Sequence, residues 1–181
     1  MTRNRFMVPV TVFALVIVTA LGSPILGASA GSQSLTFTPP QTLLSQLDVL
    51  EQIDKVSDLP ADLRIGRFIY RDGLLTGGEG GPWLAEPHAP FNGGDAQDPN
   101  LPNKRLIFAA CSAKVCILHY ASGGLAGPNY LLLTLALQSN GLWKAIWAAQ
   151  AIPGGGPIPD LKHLKTLLRT PHVTTYFDFS P

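Results

Sequence analysis

The spacing of apolar residues changes twice along the chain. From Gln41 to Val56 they recur at Leu43, Leu47, Leu50 and Ile53, with Leu44 and Val56 widening the stripe. That is the spacing of one amphipathic helix, and the prolines at 39 and 40 suit its start. "LRIGRFIYRDG" then reads as a first strand ending in a turn at Asp72-Gly73.

From Lys104 the period falls to two. "KRLIFAAC" and "VCILHYAS" read as strands joined through Ser112-Ala113-Lys114. Leu131, Leu133, Leu135 and Leu137 alternate onto one face, "SNG" at 139–141 marks a tight hairpin, and Trp143, Ala145, Trp147 and Ala149 return. Residues four apart on a strand share a face, so Trp143 and Trp147 are predicted to pack together. His119 shares a face with Ile117, while Cys116, Leu118 and Tyr120 take the other.

"PGGGPIP" at 153–159 breaks the sheet. Asp160 is then placed to cap a helix whose Leu161, Leu164, Leu167 and Leu168 face inward, with Lys162, Lys165 and Arg169 toward its negative end. "HVTTYFDF" closes the chain as a strand alternating Val173, Thr175, Phe177 and Phe179.

This order predicts an α+β fold, an antiparallel β-meander sheet of about 5–6 strands packed on one face against one N-terminal and one C-terminal helix. The layering resembles in outline the helix-gripping sheets of small secreted domains, a likeness that carries no function.

The N-terminus changes the picture of where the protein works. Arg3 and Arg5 precede an uncharged apolar stretch from Met7 to Leu21, then Ala28-Ser29-Ala30. This is the pattern of a secretory signal peptide over residues 1–30, and the apolar stretch is short of the roughly 20 residues that span hydrocarbon. The alternative is a retained anchor. Cleavage after Ala30 leaves residues 31–181 as a single domain in the extracellular space or the periplasm. Losing two arginines from 13 basic residues leaves 11 against 12 acidic ones, a formal charge of −1. That balance gives no electrostatic footing for nucleic acid, and membrane contact is expected only through the signal peptide.

The compartment then bears on the only two cysteines, Cys111 and Cys116. Across a strand–turn–strand they fall opposite each other, and in an oxidising space such a pair is expected to be a disulfide. A redox pair usually has two intervening residues, where this one has four. A zinc site would need two further ligands from His88, His119, His163 or His172, none at finger-like spacing. No metal and no cofactor is expected.

Residues 76–103 hold six glycines and five prolines in 28 positions, too many for regular structure. Long connections of this kind often bind something. Trp83 and Phe91 offer rings to stack on a sugar or peptide, with Glu79, Glu86, His88, Asn92, Asp95 and Asp98 around them. Trp83, Glu86, His88, Phe91 and Asp95 are the candidate binding residues. Glu86 with His88 or Asp95 has the residue types of an acid and base. The competing reading is a solvated cover pinned to the sheet by its two aromatics. A lone histidine on a strand, such as His119, is more often a half-exposed structural residue than a base.

No HExxH, P-loop, GxGxxG or G-x-S-x-G pattern occurs. The expectation is an exported, non-enzymatic binding or accessory protein of the cell envelope or extracellular space, with a protein, peptide or glycan partner. The alternative is a small cell-envelope hydrolase using Glu86, His88 and Asp95.

Overall fold

A computed structural model describes residues 36–181, apart from 72, 76–82, 95–96, 125–126, 171–174 and 180–181. The expected signal peptide, Asp95 and Val173 lie outside the described residues. The elements run α1 (Gln41–Leu44), β1 (Glu51–Ile53), α2 (Ala61–Arg64), β2 (Phe68–Tyr70), β3 (Gly73–Leu75), β4 (Lys104–Cys111), β5 (Val115–Ser122), β6 (Asn129–Leu137), β7 (Trp143–Ala151), α3 (Leu161–Arg169) and β8 (Tyr176–Phe179). Single 3₁₀ turns at Leu47–Val49 and Val56–Asp58 flank β1.

The α+β class with an antiparallel sheet stands, and the β4–β5–β6–β7 meander begins and turns where the period-two pattern places it. The sheet is larger than expected, eight strands in the order β1-β4-β5-β6-β7-β2-β3 with β8 also on β7. The outer edge of β7 is divided. β2 runs parallel to its first half through Ile69 and Lys144, and β8 runs antiparallel to its second half from Ala148 to Ala151.

Between those halves β7 carries a bulge. Thr134 pairs with Trp147 and Leu135 with Ala145, so Ile146 is the extra residue. One added residue inverts every side chain beyond it. The expected Trp143–Trp147 pair is therefore wrong: Trp143 and Ala145 enter one core with Leu133 and Leu135, while Trp147, Ala149 and Ala151 enter the other. A second bulge in β4, at Ile107, puts Leu106 on one face and Phe108 on the other.

Both faces are consequently buried, not one. On the first, Leu43, Leu47 and Leu50 meet Leu161, Leu164 and Leu168 of α3 over Phe108, Ile117 and Trp147. On the second, Val56, Leu59, Leu63, Phe68 and Leu84 cover Leu106, Leu118 and Leu133. A strand buried on both sides reads as a continuous apolar run, and "VCIL" of β5 is one.

The single helix expected over Gln41 to Val56 is also corrected. Its stripe is real, since Leu43, Leu47 and Leu50 are buried. The open edge of β4 takes Glu51, Gln52 and Ile53 as a strand opposite Cys111, Ala110 and Ala109, which ends the helical path after one turn. Ladder pairing along an otherwise bare edge outweighs a helix propensity of a few tenths of a kcal/mol per residue.

At the other end Asp160 caps α3 as expected, its Oδ1 accepting from His163 N–H at 2.9 Å. In β8 the inward residue is Tyr176, 3% exposed, where the alternation pointed to Phe177. The Asp178 carboxylate accepts from the Trp147 indole at 3.0 Å and from Thr38 N–H at 2.8 Å. The first bond joins β7 to β8, and the second ties the first described residues to the sheet.

Candidate functional site

Of the expected binding residues, Glu86 and His88 line one groove, Trp83 and Phe91 are engaged with other parts of the fold, and Asp95 lies outside the described residues. Trp83 is half-buried, and its Nε1–H donates to the carbonyls of Leu63 at 2.9 Å and Arg64 at 3.1 Å. Its ring meets Phe68 at 5.7 Å between centroids, with the Lys104 ammonium over it at 5.9 Å. Burial lowers the Lys104 pKa. Gly66, at φ +71°, lies under this ring, and a Cβ there would come within 2.8 Å of it. Trp83 is an anchor for α2.

Phe91 is likewise occupied. The Arg105 guanidinium stacks 4.5 Å from its centroid, and Gly93 packs against the ring edge. Between the two aromatics, Glu86 spends its carboxylate on backbone. Oε2 accepts from Val56 N–H at 2.7 Å and Oε1 from Ser57 N–H at 3.3 Å, which satisfies the free donors of the Val56–Asp58 turn.

The polar centre of this region is Asn92, 5% exposed. Its Nδ2 faces the Asp98 and Leu101 carbonyls and Asn103 Oδ1, each at 2.9 Å, and its Oδ1 accepts from Asp98 N–H at 2.8 Å. Two protons meet three acceptors, so one is shared. Its own carbonyl passes so close to Gly123 that a Cβ there would sit 2.2 Å from the oxygen. Sequence reasoning noticed Asn92 only as one polar residue among six. The signal available was an amide inside a Gly/Pro-rich segment, a common way to satisfy irregular backbone.

His88 stands apart. Ala89 N–H donates to Glu86 O at 3.0 Å, closing a turn with Pro87 second and His88 third. His88 has φ +65°, the left-handed conformation that glycine adopts freely and that a type II turn demands at this position. Its side chain is exposed. It lines an open groove of about 610 Å³ with Asp54, Lys55, Glu86, Pro87, Ile107 and Pro159. Asp54 Oδ1 accepts from Gln52 Nε2 at 2.7 Å, and Gln52 Oε1 accepts from Leu161 N–H at 2.8 Å, joining β1 to α3 beneath the groove. Asp54 and Lys55 were missed because the expected helix hid them on a solvent face.

Pro159 also borders a second groove, of about 530 Å³, lined by Gly156, Pro157, His163, Leu167 and Tyr176 among others. The segment dividing the two grooves is the Pro153–Pro159 strap. It is held by Tyr176 OH donating to Gly156 O at 3.3 Å and by Ile158 N–H donating to His119 Nε2 at 3.0 Å. His119 is fully buried rather than half-exposed. Burial lowers its pKa to about 4, opposed in smaller measure by its hydrogen bond with Leu131.

Cys111 and Cys116 are disulfide-bonded as a directly opposed pair at the end of the β4–β5 hairpin. Cys116 is fully buried and Cys111 half-buried. Ser112 Oγ accepts from Lys114 N–H at 3.2 Å and Val115 N–H at 3.1 Å, closing the turn beside the bridge. Such a bond is compatible with an oxidising compartment. Among the described residues no helix is long and apolar enough to cross a membrane, and no group of three or more His, Cys, Asp or Glu side chains is placed to hold a metal ion.

Comparison with family models, curated proteins and solved structures found no match, so the geometry of this chain alone carries the functional reading.

Proposed function

We propose that the protein is an exported binding or accessory protein of the cell envelope or extracellular space, and that its ligand contact is the groove at Asp54, Lys55 and His88. The observation that carries this reading is His88 itself. Its backbone occupies a conformation costing a non-glycine residue of the order of 1 kcal/mol, and its imidazole stands exposed at the groove wall. A side chain kept where glycine fits better has its use outside the fold.

The groove sets both charge signs beside the apolar walls of Ile107, Pro87 and Pro159. That suits an extended peptide segment with apolar and charged side chains better than a glycan. A sugar calls for a free aromatic platform, and the rings of Trp83 and Phe91 are engaged within the fold. The hydrolase alternative leans on Glu86, whose two oxygens are committed to Val56 and Ser57.

The reading is tested with a library of extended peptides by fluorescence anisotropy. His88→Ala with Lys55→Ala is expected to weaken the best binders at least tenfold and leave the melting temperature within a degree or two. Binding that survives both substitutions places the site elsewhere. Turnover of a peptide or envelope glycan that is lost on Glu86→Gln would replace this reading with the hydrolase.

A further inference from the structure

The Pro153–Pro159 strap is coupled to the centre of the sheet through a titratable atom. His119 Nδ1 lies 2.9 Å from Leu131 O, and Nε2 lies 3.0 Å from Ile158 N–H. A carbonyl accepts only and an amide N–H donates only. Nδ1 must therefore carry the ring proton, and Nε2 must be the acceptor.

The surroundings hold a neutral imidazole: the Leu131 carbonyl favours the charge, and burial outweighs it. β4 presents Phe108 edge-on at 5.4 Å between centroids, and β8 presents Tyr176 at 6.2 Å. The N-terminal elements bring Leu43, Leu47 and Leu50, and α3 turns Leu161, Leu164 and Leu168 inward. The Asp160 and His163 side chains of that helical end pair with each other at the surface. The titratable neighbours are phenols. Burial raises the Tyr176 pKa and Tyr130 of β6 raises it further, while Ile158 N–H works the other way.

We propose that His119 is a proton-operated latch: a proton added at Nε2 turns the acceptor into a donor facing Ile158 N–H, and the strap is released from the sheet. The strap has defined ends. It begins after Ile152, whose N–H donates to Thr175 O at 3.0 Å, and passes through three consecutive glycines, of which Gly154 has φ +79°. It ends at the Asp160 cap. Besides the latch, Tyr176 OH holds it at Gly156, and the Ile158 side chain is buried in the first core. Pro159 walls both grooves, so release reshapes each of them. The consequence that acid lowers ligand affinity rests on the groove at His88 being the binding site; the latch does not.

The experiment is NMR on the purified protein with nitrogen-15 in its histidines and backbone, with no ligand present. At pH 7 His119 is expected as the Nδ1–H tautomer. On acidification the Ile158 amide is expected to lose at least tenfold of its exchange protection with the midpoint of the His119 ring, near pH 4, while Leu118 and Leu133 keep theirs. In His119→Gln, which retains a donor and an acceptor but does not titrate, Ile158 stays protected across the range.

An Nε2–H tautomer at pH 7, a protected Ile158 below the ring's midpoint, or Leu118 opening together with Ile158 would each overturn the latch. So would a His119→Gln protein whose strap opens at the same pH as the parent. Should that variant not fold, the parent titration decides alone. Failure of the peptide-binding experiment leaves these outcomes untouched.

Discussion

Two glycine- and proline-rich segments cross the surface of this protein, and they are held in opposite ways. The described part of 83–103 is fastened by side chains that turn inward: the Trp83 indole on Leu63 and Arg64, the Glu86 carboxylate on Val56 and Ser57, the Asn92 amide on four partners. The strap at 153–159 has few side chains able to do this. Apart from the Ile158 side chain, which is buried in the core, it is held by hydrogen bonds from partners reaching out from the sheet, His119 and Tyr176. Similar composition thus yields one segment fixed by several independent polar bonds and another fixed by the buried Ile158 side chain and two hydrogen bonds, one of them proton-sensitive. Composition marks a segment as irregular; what fastens it decides whether it is rigid.

The largest effect expected from breaking this contrast lies in the first segment. Trp83→Ala removes the ring that fills the space above Gly66 and both indole hydrogen bonds, and should cost about 3–4 kcal/mol in urea denaturation. A loss under 1 kcal/mol would show the ring to be a surface feature and return it to the list of ligand contacts.

The strap should respond to acid instead. The unfolded His119 titrates near 6.5 and the folded one near 4, so between those values the unfolded chain holds a proton that the folded chain refuses. The contribution is complete above about pH 6.5, falls as pH drops, and levels off below about 4, for about 3 kcal/mol in all. Denaturation midpoints of the parent and of His119→Gln should converge across that window. Parallel curves would remove His119 as the source.

Asn92→Ala leaves the Asp98 and Leu101 carbonyls and the Asp98 N–H without their partner, and about 2 kcal/mol of lost stability is expected. Asn92→Asp should be no better, since a carboxylate meets three acceptors in place of donors. Rescue by aspartate would mean that the amide protons have been assigned the wrong way round.

A third irregular piece, the Ser112–Lys114 turn, is fastened covalently, and its small loop limits the effect. Cys111→Ala with Cys116→Ala should cost about 2 kcal/mol, and thiol counting on denatured, unreduced protein should find none. Two titratable thiols would overturn the bridge.

The smallest effect has the opposite sign. His88→Gly relieves the left-handed backbone and should raise stability by about 0.5–1 kcal/mol in thermal or urea unfolding. A destabilised glycine variant would mean that the imidazole serves the fold, and His88 would no longer mark the groove as the ligand site.

Local pattern carried a good deal of this. The strand ends at Lys104, Cys111, Val115 and Ser122, the opposed cysteines and the Asp160 cap follow from alternation and from short polar residues at boundaries, which act within a few positions of themselves. The stripe Leu43, Leu47 and Leu50 correctly named buried residues while naming the wrong element, because burial follows from hydrophobicity and helix length does not.

What only the tertiary structure decided are the quantities set by a distant partner. Glu51–Ile53 became a strand because the edge of β4 lay open, and Trp147 changed faces because β7 must serve β2 along one half and β8 along the other. Glu86 ceased to be a free acid when a turn 30 residues upstream presented two unpaired N–H groups. His119 gained its second hydrogen bond because a segment 39 residues downstream placed one N–H at its Nε2. Periodicity is blind to such pairings, since it reports which residues leave water and is silent on which atoms they meet.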